Sequence, residues 1–117
     1  MPSISRKIGT FTKKEIAELF KNAKRMRRSP YVDILCAPVT DRDFGKILVI
    51  TSKKVGKAHK RNLIKRRLRS IFYEEKLYKH LYDCIIIIKK EALTCKFDQL
   101  KLILQESIPG RKQYAGV

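Results

Sequence analysis

The sequence predicts an α+β fold in which helices pack on one central, mainly antiparallel sheet. Its 117 residues suffice for a single hydrophobic core but not for two, so we expect one domain over residues 1–117 with flexible ends at about 1–8 and 109–117. Helical and strand patterns follow one another as helix, two strands, helix, strand and helix, without a linker or repeat. The predicted architecture is an αββ(β)αβα sandwich, where the bracket marks an optional third strand before the long helix.

The first helix is predicted over residues 13–23, after a polar and basic segment, residues 1–10, that we expect to be extended and loosely held. Thr12 and Glu15 have the spacing of a capping box, which marks the start of a helix. The apolar residues that follow at helical spacing are Ile16, Leu19, Phe20 and Ala23. The basic residues that gather next are Lys21, Lys24, Arg25, Arg27 and Arg28. We interpret part of this basic group as cations at the end of the helix, where they favour the helix dipole.

Two strands are predicted before the long helix, over residues 31–37 and 46–51. Residues 38–45 between them are dense in turn formers, so we expect an antiparallel hairpin with a long loop. Asp41 and Asp43 lie in this loop. Turn chemistry accounts for both aspartates, because a metal site would need more oxygen ligands than the loop supplies.

The second half of the chain predicts a long helix, a strand and a last helix. The long helix should run from about residue 59 to the late seventies. Four consecutive isoleucines in residues 82–89 suggest a central strand that is covered on both faces. The last helix is predicted over residues 94–106. Its residues expected to face inward are Phe97, Leu100, Ile103 and Leu104.

The overall charge is the most unusual feature of the composition. The chain has 28 Lys and Arg against 11 Asp and Glu, which gives a net charge of +17 and a pI near 10.1. Such an excess favours nucleic acid or an anionic membrane as the partner. A membrane is the weaker choice, because the longest apolar run, residues 84–88, is far shorter than the roughly 20 residues of a span. The first ten residues also lack the apolar core of a secretory signal.

The cysteines indicate a reducing environment. Cys36, Cys84 and Cys95 are odd in number and widely spaced. No CxxC motif occurs and the only histidines are His59 and His80, so we do not expect a zinc site. Free thiols that are buried or half-buried are therefore expected, in a cytoplasmic protein.

The stretch with the strongest functional signal is residues 53–69, which carries nine Lys or Arg and no Asp or Glu. At about 100° per residue, a helix here places Ile64 and Leu68 at the centre of an apolar stripe that would dock on the sheet. The stripe beside it comprises Arg61, Asn62, Lys65, Arg66 and Arg69. Lys60 and Arg67 project elsewhere. A solvated helix normally mixes Glu with Lys at i,i+4 spacing, so the absence of acidic residues indicates an external anion.

RNA is the polyanion that this arrangement favours. A helix that reads the DNA major groove normally belongs to a helix-turn-helix, whereas this helix follows a strand and carries its own docking stripe. A platform made of a sheet and a helix suits RNA better, and DNA is not expected as a partner. Gly56, just before the helix, would allow backbone N–H groups to approach a phosphate, although a simple turn is equally compatible.

These residues also resemble a known family. Residues 52–69, SKKVGKAHKRNLIKRRLR, closely resemble the signature of bacterial ribonuclease P protein subunits, with both the SKKVGKA lead-in and the RNxxKRxxR spacing present. The order of elements is similar too, and the resemblance covers roughly residues 8–107. It implies a ribosomal protein S5 domain 2-like fold. Leu63 departs from the pattern, because the family usually has Arg there.

The resemblance implies that the protein binds a large catalytic RNA, in a holoenzyme that removes the 5′ leader of precursor tRNA. Phosphodiester hydrolysis would then depend on Mg²⁺ held mainly by the RNA, with no catalytic or metal-binding residue in the protein. Carried over by position, the RNA-binding residues would be Lys53, Lys54, Lys57, Lys60, Arg61, Asn62, Lys65, Arg66 and Arg69.

The resemblance also implies a cleft between the first helix and the sheet that holds the single-stranded leader. Ile16, Phe20 and Ile34 fall at cleft positions, where family members often have aromatic residues. Two isoleucines would weaken base stacking there. The alternative interpretation of Ile16 and Phe20 is that they belong to the core.

Two other functions compete with this one. A nuclease that works without RNA would need clustered carboxylates or a pair of histidines, but the carboxylates are scattered and His59 and His80 are 21 residues apart. The second alternative is a ribosomal or other structural RNA-binding protein of similar fold, which the composition does not exclude. Only the family signature argues against that alternative.

Overall fold

A computed structural model of the chain describes residues 4–51 and 53–109. The helices are α1 (Ile4–Lys7), α2 (Lys13–Asn22), α3 (Ala58–Glu74) and α4 (Phe97–Ser107). The strands are β1 (Lys24–Arg28), β2 (Val32–Pro38), β3 (Ile47–Ile50) and β4 (Tyr82–Ile88). Short 3-10 segments occupy Lys53–Val55, Leu77–His80 and Lys90–Thr94. The predicted α+β class is confirmed, while most of the predicted flexible tail, residues 110–117, lies outside the described residues.

The four strands form one sheet in the order β1-β2-β4-β3. β2 pairs antiparallel with β1 and β4, and β3 pairs parallel with β4, so the sheet is mainly antiparallel. The predicted hairpin between residues 31–37 and 46–51 is wrong, because β4 lies between β2 and β3. The isoleucines of β4 explain this order: Ile85 and Ile86 point to opposite faces and both are fully buried, as only a central strand allows.

The sequence pattern did not predict β1, and a single residue, Ala23, separates this strand from α2. Ala23 ends the helix with a bond from its N–H to the Leu19 carbonyl and takes an extended conformation. The sequence of β1, KRMRR, has no apolar alternation, because this edge strand turns no side chain into the core. The interpretation of these cations as the end of the first helix is therefore wrong for Lys24–Arg28.

The two faces of the sheet are covered unequally. α3 and α4 cover one face, where the strand residues of the main core are Val32, Ile34, Cys36, Ile47, Val49, Cys84, Ile86 and Ile88. α2 packs on the other face, where Leu19 meets Ala37 and Ile85. The residues of that face that stay only partly buried are Leu35, Leu48, Ile50 and Ile87. One side of the sheet is thus a closed core and the other is half open.

The N-terminal segment contributes to the core, contrary to the expectation of an extended, loosely held end. Ile4–Lys7 form one helical turn, and Ile8 is buried in the main core. The Ile47 N–H donates to the Ile8 carbonyl at 2.7 Å, which ties this segment to β3. α2 then begins as predicted, because the Thr12 hydroxyl accepts from the Glu15 N–H while the Glu15 carboxylate accepts from the Thr12 N–H.

Both later helices differ from their predicted bounds. α3 ends at Glu74 rather than in the late seventies, because Lys76 takes a left-handed φ of 54° and a 3-10 turn follows. α4 begins at Phe97 rather than at residue 94, after another 3-10 segment. The α4 residues buried as predicted are Leu100, Ile103 and Leu104. Phe97 is 37% exposed, so its predicted inward orientation is wrong.

Two ion pairs fix the start of β3 and the loop before it. Arg42 and Asp83 form a bidentate pair with N–O distances of 2.9 and 2.6 Å, and this hydrogen bonding raises the pKa of Arg42. The Asp83 carboxylate also accepts from the Lys46 backbone N–H at 2.8 Å. The Lys46 ammonium in turn lies 2.6 Å from the Glu15 carboxylate. The loop and the first turn of α2 are therefore held to the same end of the sheet.

All three cysteines are buried and free, as predicted. Cys36 and Cys84 are cross-strand partners whose Sγ atoms lie 3.4 Å apart. Burial raises the pKa of the Cys84 thiol well above its ordinary value, which keeps it protonated. The cytoplasmic location inferred from the cysteines stays a prediction.

Candidate nucleic-acid interface

α3 divides into an apolar side and a polar side, as its periodicity predicts. The residues buried on the apolar side are Ile64, Leu68, Ile71 and Phe72. They belong to the main core, and α3 contacts both β3 and α4. Because this side is fully used for packing, the orientation of the polar side is fixed by the core. We call its residues, Arg61, Asn62, Lys65, Arg66 and Arg69, the α3 polar stripe.

Most of the α3 polar stripe borders one surface hollow of about 440 Å³. The residues that line it are His59, Asn62, Lys65, Arg66 and Arg69. His59 is the one member that sequence analysis did not assign to the interface, although it precedes Asn62 by three positions and so lies on the same helix face. Arg61 is half-buried and does not line this hollow, and its Nε is buried without a hydrogen-bond partner among the described residues.

Among the described residues, the cations of α3 have no acidic partners. In the described part of the chain, the carboxylates pair with Arg42, Lys46, Lys89 and Lys101. None of these ion pairs involves Lys54, Lys57 or a cation of α3. Lys54 and Lys57 are exposed immediately before the helix, whereas the side chain of Lys53 lies outside the described residues. Like charges at this density repel one another unless an anion neutralises them.

Three further residues of α3 that the sequence singled out do not line the hollow. Lys60 is exposed and Arg67 is half-buried, and neither lines the hollow, as their predicted directions require. Leu63 is 39% exposed and also absent from the lining. The position where the family usually has Arg is thus a solvent-facing apolar residue in this chain.

Gly56 does not face an open pocket. A Cβ at this position would lie 2.7 Å from Leu93 Cδ1, in the 3-10 segment after β4. The absence of a side chain therefore serves close packing between the two segments, which favours the structural interpretation of this glycine.

A second candidate surface lies beside α2. Leu19 faces the sheet, and at about 100° per residue Ile16 and Phe20 fall on one side of it while Glu15 and Glu18 fall on the other. Ile16 is half-buried and Phe20 is 48% exposed, so Phe20 is not a core residue. We call the half-open face floored by Leu35, Leu48, Ile50 and Ile87, with Ile16 and Phe20 beside it, the α2 cleft.

Ile34 does not belong to the α2 cleft. Its side chain is fully buried in the main core, on the face covered by α3 and α4. Side chains alternate between the faces of a strand, so its neighbour Leu35 points to the α2 face instead. The predicted cleft residue in β2 is therefore wrong by one position.

The far end of the α2 cleft is cationic. Asp33 is buried there, and the Lys89 ammonium lies 2.9 Å from its carboxylate and donates to the Ser29 carbonyl. Burial alone would raise the pKa of Asp33, but Lys89, Arg25 and Arg28 outweigh this effect and lower it. Three cations thus surround a single carboxylate.

The opposite side of α2 is acidic. A groove of about 200 Å³ lies there, and its charged lining residues are Glu15, Glu18, Asp41, Arg42 and Asp83. Among the described residues, no group of three His, Cys, Asp or Glu lies close enough together to hold a metal ion. Of the described helices, none combines the length and the apolar composition needed to cross a membrane.

Comparison with known proteins identifies the family. The family model for ribonuclease P matches residues 5–108. The ribonuclease P protein component of Phytoplasma australiense is 38% identical over 89 residues, which cover 74% of this chain and 76% of that protein. The component from Petrotoga mobilis is 38% identical over 89 residues, covering 70% and 75%.

Solved structures agree on the fold. The Staphylococcus aureus RNase P protein superposes with a TM-score of 0.72 at 22% identity, covering 86% of this chain and 91% of that one. The Thermotoga maritima RNase P protein gives a TM-score of 0.71 at 21% identity, covering 86% and 94%. With a matching family model over most of its length and close relatives of one name, the chain belongs to the ribonuclease P protein family, the protein components of the ribonucleoprotein enzyme that processes tRNA.

Proposed function

We propose that the α3 polar stripe binds the catalytic RNA of ribonuclease P and that the α2 cleft binds the 5′ leader of precursor tRNA. The observation that carries this proposal is the set of α3 cations without an acidic partner among the described residues. Arginine and lysine bind RNA backbones through phosphate contacts, and the core-docked helix holds these side chains in a fixed direction. Lys53, Lys54 and Lys57 add phosphate contacts in front of the helix, and Lys60 adds one at its first turn.

The protein acts electrostatically. Two RNAs repel one another through their phosphates, and a cationic surface between them lowers that repulsion. Magnesium ions, when bound, supply the hydrolytic chemistry at the scissile phosphate. The α3 polar stripe offers cations and an amide, which would repel a metal ion, so the RNA is the main source of its ligands. The chain's own contribution is to bind and orient both RNAs.

The α2 cleft has the chemistry of a single-strand site. Its floor is apolar, Phe20 offers an exposed ring for stacking, and cations lie at its far end. Unpaired bases stack on such rings while their phosphates meet cations. Isoleucine at position 16 provides an apolar contact without stacking, so Phe20 carries most of the base recognition. The lining residue of β2 is Leu35, in place of Ile34.

The proposed RNA partners also indicate where in the cell the protein acts. Precursor tRNA and the catalytic RNA are cytoplasmic, and we place the protein there with them. Membrane and DNA have no part in this function.

A cleavage assay separates the three candidate functions. Precursor tRNA is incubated with the protein alone, with a bacterial ribonuclease P RNA alone, and with both, at low Mg²⁺. We expect leader removal only with the RNA, and faster removal when the protein is added. Cleavage by the protein alone would establish a nuclease, and a protein that binds the RNA without stimulating it would be a structural RNA-binding protein.

A matched pair of variants tests the surface. Arg66→Ala with Arg69→Ala removes two cations from the hollow, whereas Lys21→Ala with Lys79→Ala removes the same charge from exposed positions outside α3. Hydroxyl-radical footprinting of the catalytic RNA should lose protection with the first pair and keep it with the second. Equal footprints with both pairs would refute the assignment.

The salt dependence of binding gives an independent measure. If about six to ten phosphates are contacted, affinity should fall roughly 10³- to 10⁵-fold between about 50 and 200 mM salt. Affinity that does not change with salt would contradict an electrostatic interface.

A further inference from the structure

β1 carries four cations on an edge strand, and the register divides them between the two faces of the sheet. Arg25 pairs with Leu35 and Arg28 pairs with Asp33. Cross-strand partners share a face, so Arg25 and Arg28 lie on the face of the α2 cleft. Lys24 pairs with Cys36 and Arg27 with Ile34, which places these two cations on the face of the main core.

The electrostatics of Asp33 supports this placement. Arg25 and Arg28 both lower the pKa of the Asp33 carboxylate, so both lie near it at the end of the cleft. Lys89 already forms an ion pair with Asp33. The two arginines are therefore surplus positive charge on the open face.

Edge protection is the simplest explanation of a charged edge strand. Charged side chains and a bulge discourage pairing with another chain, and β1 has both, since its register shifts between Arg25 and Arg27. Edge protection makes no distinction between the two faces, however. Edge protection therefore explains why β1 is charged, but it assigns no separate role to Arg25 and Arg28 on the cleft face.

The surroundings of the cleft leave one route for a polyanion that crosses it. α3 contacts β3, which is the edge strand opposite β1, so an RNA strand that leaves the α3 polar stripe would reach the α2 cleft across the β3 edge. The groove beyond α2 is lined by Glu15, Glu18, Asp41 and Asp83, which repel phosphates. β1 is the opposite edge of the sheet, three strand spacings or about 14 Å away.

We infer that Arg25 and Arg28 form an outer phosphate-binding site, which holds leader nucleotides that have crossed the α2 cleft and leave it over β1. This inference rests on the proposed function and extends it, because it adds a site for the part of the leader that is distant from the cleavage point. The occupant is single-stranded RNA, chosen by its charge and by the apolar floor that leads to the two arginines.

Precursor tRNAs with a graded series of leader lengths test the inference. Arg25→Gln with Arg28→Gln is compared with Lys24→Gln with Arg27→Gln, which removes the same charge from the same strand on the other face. The affinity of the reconstituted holoenzyme is measured for each leader length, with leaderless tRNA included. Circular dichroism and thermal unfolding check that both variants are folded.

We expect the affinity of the Arg25/Arg28 variant to equal that of the wild type for short leaders. Once the leader is long enough to reach β1, the affinity of the variant should be roughly tenfold weaker. The salt slope for long leaders should fall by about 1.4, since each single-strand phosphate contact contributes about 0.7. The Lys24/Arg27 variant should follow the wild type at every length.

Four outcomes would overturn the inference. Equal losses in both variants would show a general effect of charge, and a loss that is the same for leaderless tRNA would show contact with the catalytic RNA. An Arg25/Arg28 variant whose affinity rises with leader length just as that of the wild type does would refute the outer site alone. Wild-type affinity that is independent of the leader would refute the proposed function and the outer site together.

Discussion

The Glu15 carboxylate and the Lys46 ammonium lie 2.6 Å apart and join the first turn of α2 to the residue before β3. Lys46 is almost fully buried and also lies 5.1 Å from the centre of the Phe11 ring. Glu15 is part of the capping box of α2 as well. One carboxylate therefore starts the helix and holds it against the sheet.

This ion pair predicts a pH dependence of stability. The hydrogen bond from Lys46 lowers the pKa of Glu15 from 4.5 to about 2. A lowered carboxyl pKa stabilises the fold above the ordinary value, and the contribution is lost as the pH falls through 4.5 toward about 2. Glu15→Gln should lower the free energy of unfolding by about 1–3 kcal/mol at pH 7, because it leaves the buried Lys46 without its charged partner. The difference in unfolding free energy between Glu15→Gln and the wild type should shrink as the pH falls from 4.5 toward about 2.

Urea unfolding at a series of pH values measures this effect. Glu18→Gln is the matched control, because Glu18 is an exposed carboxylate of the same helix that takes part in none of the ion pairs of the described chain. Wild-type and Glu15→Gln proteins with parallel stability profiles would contradict the assigned role.

Leu63→Arg should strengthen binding to the catalytic RNA. Leu63 is exposed on α3, and an arginine there would add a cation beside a surface whose cations have no acidic partner in the described part of the chain. The affinity should rise several-fold, and the salt slope should steepen by about one. Leu102→Arg on α4, at another exposed leucine, adds the same charge elsewhere. A similar gain from both variants would show that only net charge matters.

Phe20→Ala should weaken binding of the leader without a large loss of stability. The ring is 48% exposed, so its removal leaves no cavity in the core. Loss of one stacked base costs about 1–3 kcal/mol, or about 5- to 150-fold in Kd. Phe97→Ala removes an exposed ring from α4 and serves as the control. Binding of leaderless tRNA should be the same for both variants, and an effect of Phe20→Ala on that ligand would place the residue outside the cleft.

Lys76→Gly should stabilise the protein. Lys76 follows the end of α3 with a φ of 54°, a left-handed conformation that costs a residue with a Cβ about 1–2 kcal/mol. Glycine avoids this cost but loses about 0.5–1 kcal/mol of chain entropy, so the net gain should be about 0.5–1 kcal/mol. Lys79→Gly, within the following 3-10 turn, should instead lower stability. The midpoint of urea unfolding, with an unchanged m-value, reports both effects.

Local patterns could be predicted from the sequence, and long-range ones could not. The capping box of Thr12 and the docking of Ile64 and Leu68 depend on residues within a few positions of each other, and both are present. The pairing of β2 with β4 depends on residues about 50 positions apart. Sequence spacing favours a hairpin of neighbouring strands, and nothing local shows that another strand will separate them.

The errors at the candidate site have the same origin. Ile34 and Leu35 are both apolar, so the face that each one occupies is decided by what covers the sheet on either side. β1 was missed because an edge strand with both sides in solvent has no apolar alternation. The common direction of Arg25 and Arg28 follows only from the register with β2.

The central position of β4 has a consequence for how the protein is made. The ribosome completes β1, β2, β3 and α3 before β4 exists, and β3 has no strand to pair with until β4 arrives. A nascent chain that ends before β4 therefore has a basic helix without a finished platform beneath Ile64 and Leu68. The native surface for RNA forms only when the last third of the chain has been synthesised, and contacts this distant in sequence make for slower folding.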